Sequence, residues 1–401
     1  MDKVLNVPSH VPSDAVVDFD IYAPPGVEKD FHAAWKALHA EGVPDLVWTT
    51  RNGGHWIVTR GEDISALYRD WENFSSRHMW VPKERAAGNS PLPGNVDPPD
   101  QVEYKNLLNR PLSPKSVRGL EPQIRDLAAS LVEGVKGNGK CEFVSEFGLI
   151  LPLVIFLDYS GLPRSDLDYL RDLAEEKLRP SGKMTNAEVM GKFSDYLDAV
   201  IEERTKNPGD DLISQVVNGK VYDRPLTRDE AIRLCSQLML AGLDTVAAAL
   251  AFTMLYLARN PDLRRAMVAD PSLIRVGTED MLRRHGVLTI AREVMADYEL
   301  HGVTLKKGDL IALPTPLHGL DDRIFPDPMT VDPDRPRQEI MTFAAGPHRC
   351  PGAQLARFEL RAVLEEWLAR IPDFDVDPAG GDIRYVGGTI GTITHLPLTW
   401  S

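Results

Sequence analysis

The chain has 401 residues, a net charge of −14, 43% hydrophobic residues and 26% charged residues. That length can bury a large core, and the composition is ordinary for a soluble globular protein. The acidic balance argues against broad nucleic-acid binding, which needs a basic surface. Three cysteines, Cys141, Cys235 and Cys350, are too few for a disulfide framework and suit a reducing cytoplasm.

The opening segment MDKVLNVPSHVPSD has no apolar stretch or small-residue cleavage site and is not read as a signal peptide. LVWTTRNGGHWIVTRG, at 46–61, reads as a hairpin turning at Asn52-Gly53-Gly54. Helical periodicity runs through 124–135, 166–177, 186–205 and 228–258. Thr227-Arg-Asp-Glu230 is a capping box that opens the last of these. Its portion 234–258 is long enough to span a bilayer. Gln237 and Asp244 lie inside it, however, and a charge near a bilayer centre is costly. It is therefore expected to be the central helix of a soluble core, with no membrane involved.

YELHGVTLKKGDLIALP, at 298–314, reads as a second hairpin turning at Lys307-Gly308. Residues 319–340 are rich in Pro, Asp and Arg with little periodicity and predict a long irregular meander. From Ala353 to Arg370 the chain again reads as a helix, with Leu360, Val363, Leu364 and Trp367 at apolar spacing. With no repeats and no clear linker, the expectation is one mainly α domain, 1–401, with minor β-sheet.

Two motifs carry chemistry. In Phe343-Ala-Ala-Gly346-Pro-His348-Arg349-Cys350-Pro351-Gly352, two glycines bracket the cysteine and allow close backbone approach to a sulfur or a flat cofactor. Cys350 falls at a helix N-terminus, where free amides and the positive dipole end favour a thiolate. Cys141 and Cys235 have no such setting and read as buried packing residues. The second motif is Ala241-Gly242-Leu243-Asp244-Thr245, midway along the apolar helix. Acid and alcohol are unusual there without partners. Thr245 can bond back to the Ala241 carbonyl while Gly242 weakens the helix, which opens a notch.

The ten-residue cysteine pattern resembles the haem-binding signature of the cytochrome P450 superfamily, and Asp244-Thr245 matches that family's acid–alcohol pair. The whole chain, from Val16 to Trp400, also resembles the bacterial camphor 5-monooxygenase group. The matching stretches are VVDFDIYAPPG, VPDLVWT, NGGHWIVTRG, VDPPDQ, AGLDTV, DYELHGVTLKKGD, EWLARIPDF and LPLTW. The resemblance implies a triangular helical prism with minor β-sheets, and haem b between the long central helix and the cysteine-loop helix. Cys350 would be the axial thiolate ligand and the only metal ligand, with electron density pushed toward the O–O bond being broken. Thr245 and Asp244 would be the oxygen- and proton-handling pair. Phe343, Gly352 and Ala241 would contact the cofactor, and His348 and Arg292 its propionates. Lys105 stands where the group has an Arg that holds a propionate and faces the electron donor; Lys keeps the charge but loses the fork.

The pocket carried over by position is Trp80, Asn89, Gln237, Val246, Val287, Leu288, Thr389 and Ile390. It is mostly apolar and suits a small monoterpenoid ether or ketone such as cineole or camphor. The family's Glu-x-x-Arg departs from pattern here: Asp280 stands three residues before Arg283, with Glu279 beside it. Either acid could pair with Arg283 and the meander's Arg335, in a structural role. The resemblance thus implies a cytoplasmic, monomeric, O2-using hydroxylase. The chain has no flavin or iron–sulfur motif, so its electrons would come from a [2Fe–2S] ferredoxin and an NADH-dependent reductase. A peroxide-dependent haem-thiolate enzyme and a non-catalytic haem sensor or carrier are the alternatives.

Overall fold

The computed structural model describes residues 7–83, 91–178, 181–242 and 244–401. The predicted helical stretches form helices at Glu121–Lys136, Leu167–Leu178 and Asn186–Lys206. In the first, Ile124, Ala128, Val132 and Val135 are buried along one stripe, the pattern of a helix with one face on a core. The capping box at Thr227 forms as read: Glu230 N donates to Thr227 Oγ1 at 3.3 Å and Thr227 N donates to Glu230 Oε2 at 2.7 Å.

The long apolar segment is not one continuous helix. It runs as Arg228–Gly242 and then Thr245–Arg259, with Asp244 outside helical geometry at φ −137°, ψ −34°. Gly242 is at the break for two reasons: it is a weak helix former, and a Cβ there would come within 2.5 Å of the Phe156 ring. Glycine thus lets the neighbouring helix Ile150–Tyr159 pack close while loosening its own. The combined stretch is long and apolar enough to cross a membrane, but 76% of its apolar window is buried inside the protein, as a central core helix would be.

The main sheet has six strands, in the order Val16–Val17, Leu46–Thr49, His55–Val58, Leu310–Pro314, Thr289–Val294, Phe74–Ser75. The hairpin expected at 46–61 supplies its second and third strands, paired antiparallel with Trp48 opposite Trp56. The second expected hairpin is corrected. Tyr298–Leu300 pairs with Val303–Leu305, and the turn is His301-Gly302, with φ of +52° and +76°. Two successive left-handed residues match the twist of a tight hairpin. Lys307-Gly308 is instead a corner from which Leu310–Pro314 joins the main sheet, parallel to His55–Val58 and antiparallel to Thr289–Val294. Both dipeptides are turn formers, so alternation alone could not choose between them.

The helix Ala353–Arg370 packs along Glu121–Lys136 and buries Leu360, Val363, Leu364 and Trp367 as expected. Trp367 is edge-on to Phe143, Phe147, Phe374 and Trp400, with ring centroids 5.3–5.8 Å apart. Leu149, Leu355 and Phe358 pack against both of the two hydrophobic clusters and join them.

Candidate active site

The cysteine loop is closed by its own backbone: Cys350 N donates to the Phe343 carbonyl at 2.8 Å. The loop turns through Ala344 and Gly346, both left-handed at φ +53° and +63°. A side chain at 346 would lie 2.8 Å from the Tyr68 carbonyl, so glycine is what seats the loop against the helix Gly61–Arg69. Gly352 is different. It caps the helix at φ −81°, and the nearest atom to an added Cβ would be Cys350 Sγ at 3.8 Å. Its lack of a side chain leaves the approach to the sulfur clear. Burial pushes the Cys350 thiol up, while the amides of Gly352 and Ala353 and the charges of Lys105 and Arg357 favour its ionised form. Cys350 as a residue is exposed, unlike the other two cysteines. Cys141 and Cys235 are buried, with burial pushing both thiols up to about 12, and are inert by comparison.

Beside the loop, three nitrogen-bearing side chains share one field. Arg292, on the strand Thr289–Val294, is 2% exposed and lies 5.4 Å over the Tyr68 ring. Its Nη1 donates to the Ala291 carbonyl at 2.9 Å, while Nη2 is buried with no hydrogen-bond partner among the described residues. His348 Nε2 is likewise buried and unpartnered. Burial, with Arg292 and Lys105 nearby, pushes His348 down to about 2, which leaves a neutral imidazole. Lys105 Nζ donates to the Pro347 carbonyl at 2.5 Å. Gln101, one helical turn earlier on Asp100–Asn109, donates Nε2 to the same carbonyl at 2.6 Å. Sequence reading passed over Gln101, although its i, i+4 spacing to Lys105 put both on one helix face.

At the break in the central helix, Thr245 Oγ1 donates to the Ala241 carbonyl at 3.0 Å. Asp244 stands at the N-cap of the second half and is 5% exposed. Ala241 is exposed and Gly242 half-buried, in a helix whose preceding residues Leu238, Met239 and Leu240 are buried. The helix surface therefore opens at the residues that carry acid and alcohol.

Four of the residues expected to line the pocket lie together. Leu288 bridges Ile390, Thr289 N donates to Thr389 O at 2.8 Å, and Gly391 N donates to Val287 O at 2.8 Å. Ala291 N donates to Met79 O at 2.9 Å, which ties the turn carrying Trp80 to the same strand. Trp80 is buried, with the Lys177 ammonium 5.3 Å from its ring centroid, a contact that sequence reading did not find. Val246 and Gln237 are half-buried, and the Gln237 amide oxygen would lie 2.9 Å from a Cβ on Gly94. Asn89 lies outside the described residues.

The choice between the two acids is resolved by geometry. Arg283 donates Nε to Asp280 Oδ1 at 2.5 Å and Nη2 to Oδ2 at 3.1 Å. Arg335 Nε lies 3.1 Å from Oδ1, and Asp332 N donates to Oδ2 at 2.7 Å. The short side chain of Asp280 is met by the meander backbone. Glu279 is turned to other partners, Arg357 and Arg361 on the cysteine-loop helix.

A family model described as Cytochrome P450 matches residues 169–271 and 279–384, more than half of the chain. A protein of Sinorhizobium fredii described as "Probable cytochrome P450 127A1" is 32% identical over 407 residues, covering 100% of this chain and 98% of its own. The chain belongs to the cytochrome P450 family. Among solved structures, cytochrome P450 CYP101C1 superposes on this P450 with a TM-score of 0.92 at 40% identity, covering 99% of this chain and 100% of its own. CYP101J2 does so with a TM-score of 0.91 at 40% identity and the same coverage. The mainly helical fold with small β-sheets is thus that of the family. The P450 is a monooxygenase whose cofactor is a haem with a thiolate ligand. Its residues suit that group: a cysteine sulfur backed by amides and cations, and two buried donors on Arg292 and His348, unpartnered among the described residues, of the kind haem carboxylates satisfy.

Proposed function

We propose that this P450 hydroxylates a small, largely apolar molecule of the monoterpenoid class, a cyclic ether or ketone such as cineole or camphor. In this reading the whole chain, 1–401, acts as one monomeric unit in the cytoplasm, and a [2Fe–2S] ferredoxin reduced by an NADH-dependent reductase supplies its electrons. The observation that carries the reading is the break in the central helix, where Thr245 and Asp244 stand at an opening in an otherwise buried surface.

When bound, the haem supplies dioxygen activation and transfer of one oxygen atom to a C–H bond. Cys350 would be its ligand, with Phe343, Gly352 and Ala241 against it, and Arg292, His348 and Lys105 would hold its carboxylates. The Thr245 hydroxyl gives its proton to the Ala241 carbonyl, so its oxygen would accept from a water and hold it at the break, and Asp244 beside it would hand protons on from solvent. Val246, Val287, Leu288, Thr389 and Ile390 exclude water and hold the hydrocarbon, with Trp80, Asn89 and Gln237 setting shape and polarity. Asp280, Arg283 and Arg335 hold the meander against the helix that precedes the pocket wall.

The test is titration of the ferric holoprotein with cineole, camphor and acyclic or steroid controls, followed by NADH-driven turnover with a bacterial [2Fe–2S] ferredoxin. A saturable spin-state change and a hydroxylated product from the bicyclic compounds support the reading. Response only to larger ligands would overturn the substrate class. Turnover with peroxide but none with a competent ferredoxin would overturn the oxygen-activating role.

A further inference from the structure

Glu279 was expected to compete with Asp280 for Arg283, yet it serves a separate network that ends at the cysteine loop. Arg357, one turn into the cysteine-loop helix, donates Nε to both Glu279 oxygens at 2.8 and 3.0 Å and Nη2 to Oε2 at 3.0 Å. Its Nη1 donates to the Ala353 carbonyl at 3.2 Å, which holds the guanidinium back along the first turn. The same guanidinium lies 4.5 Å over the Phe343 ring. Phe343 is the residue whose carbonyl accepts the Cys350 amide. A charged, partly buried group is therefore fixed on three sides next to the loop that presents the sulfur. Its side chain is 16% exposed and that of Glu279 is 31% exposed, so screening by water is incomplete.

We propose that Arg357, held in place by Glu279, is a positioning residue whose positive charge sets the electron-donating power of the Cys350 thiolate and hence the reduction potential of the haem iron. The inference rests on Cys350 being the thiolate ligand. A cation near a ligating anion stabilises the reduced, more negative site relative to the oxidised one, so removing it lowers the potential. Arg361 also reaches Glu279, at 3.1 Å, so the carboxylate stays paired when Arg357 is changed. On one helix, two adjacent acids divide the work: Asp280 ties down the meander, and Glu279 fixes the cation that faces the loop.

The experiment is a spectroelectrochemical titration of the holoprotein, with haem content and the carbon-monoxide spectrum recorded for each variant. Arg357→Gln should shift the ferric–ferrous equilibrium toward ferric by about tenfold at fixed poise, about 59 mV for a one-electron couple. Arg357→Lys keeps the charge while losing the fork and stacking, and should stay near the parent value. Glu279→Gln removes the opposing charge and should move the potential the other way. A structural role would give no such reversal of sign. Equal shifts in Arg357→Lys and Arg357→Gln, or no shift in either, would overturn the proposal. If Arg357→Gln does not hold haem, Glu279→Gln decides alone: a raised potential supports the proposal, and an unchanged or lowered one overturns it. A thiolate spectrum retained in Cys350→His would show that the ligand assignment had failed instead.

Discussion

Thr245 bonds to the Ala241 carbonyl at the one place where the central helix changes course, so its hydroxyl is oriented before any substrate arrives. Thr245→Ala keeps the fold and loses that hydroxyl. The expected outcome is continued NADH consumption with product per NADH reduced at least about tenfold and hydrogen peroxide released in its place; unchanged coupling would remove the hydroxyl from the mechanism. Glu359 is a second residue with its own signature. It is 2% exposed in the cysteine-loop helix, and burial pushes its carboxyl up to about 8. The folded state therefore holds this proton more tightly than the unfolded chain does. Its contribution to stability is complete below the unfolded carboxyl range and is lost as pH rises through about 8. Glu359→Gln is neutral at every pH. Denaturant unfolding should show little change at about pH 4 and a gain on the order of 3 kcal/mol at about pH 9; a gain equal at both would mean that the carboxylate is paired in the native state.

At the scale of elements, the helix that carries Glu279 and Asp280 connects the meander to the cysteine loop. Asp280→Ala leaves Arg283, 1% exposed, without its acid and should cost about 3–5 kcal/mol in unfolding free energy, with weaker haem retention. Asp280→Glu restores the residue the family pattern calls for and should cost far less; equal losses in both would mean that the pocket is shaped for aspartate alone. Gly242→Ala should destabilise by about 1–3 kcal/mol despite alanine's better helix propensity, because the new Cβ meets Phe156 at 2.5 Å. Differential unfolding of this variant with and without Phe156→Leu checks the cause.

The amphipathic helices and the capping box at Thr227 were legible in the sequence because each is a local pattern with a local cause. The hairpin at 46–58 was legible too, since Asn52-Gly53-Gly54 is its only turn former. What escaped depended on partners distant in the chain. The strand Leu310–Pro314 pairs with His55–Val58 across some 250 residues, so its alternation was read as half of a nearby hairpin. The acid that pairs with Arg283 could not be chosen from spacing alone, because i−3 and i−4 are both within reach on a helix. At the candidate site, Cys350, Asp244 and Thr245 stood out as polar residues in motifs, whereas Gln101 and Lys177 act through contacts that only tertiary packing makes.

For the molecule as a whole, a net charge of −14 opposes a small acidic electron donor everywhere except where cations gather. Lys105, bonded to the Pro347 carbonyl, and Arg349, exposed and next to Cys350 in the chain, provide such a place. If a ferredoxin is the donor, as proposed, its KM should rise several-fold between low and about 0.3 M salt, with kcat less affected; a KM independent of salt would put docking on another face. The chemistry depends most on Cys350, and the absorbance of the reduced, carbon-monoxide-bound protein tests that directly. The parent chain should show the red-shifted Soret band of thiolate-ligated haem, and Cys350→His should lose it with haem retained. A parent spectrum of the imidazole or neutral-thiol type, or a thiolate band surviving the substitution, would contradict that ligation.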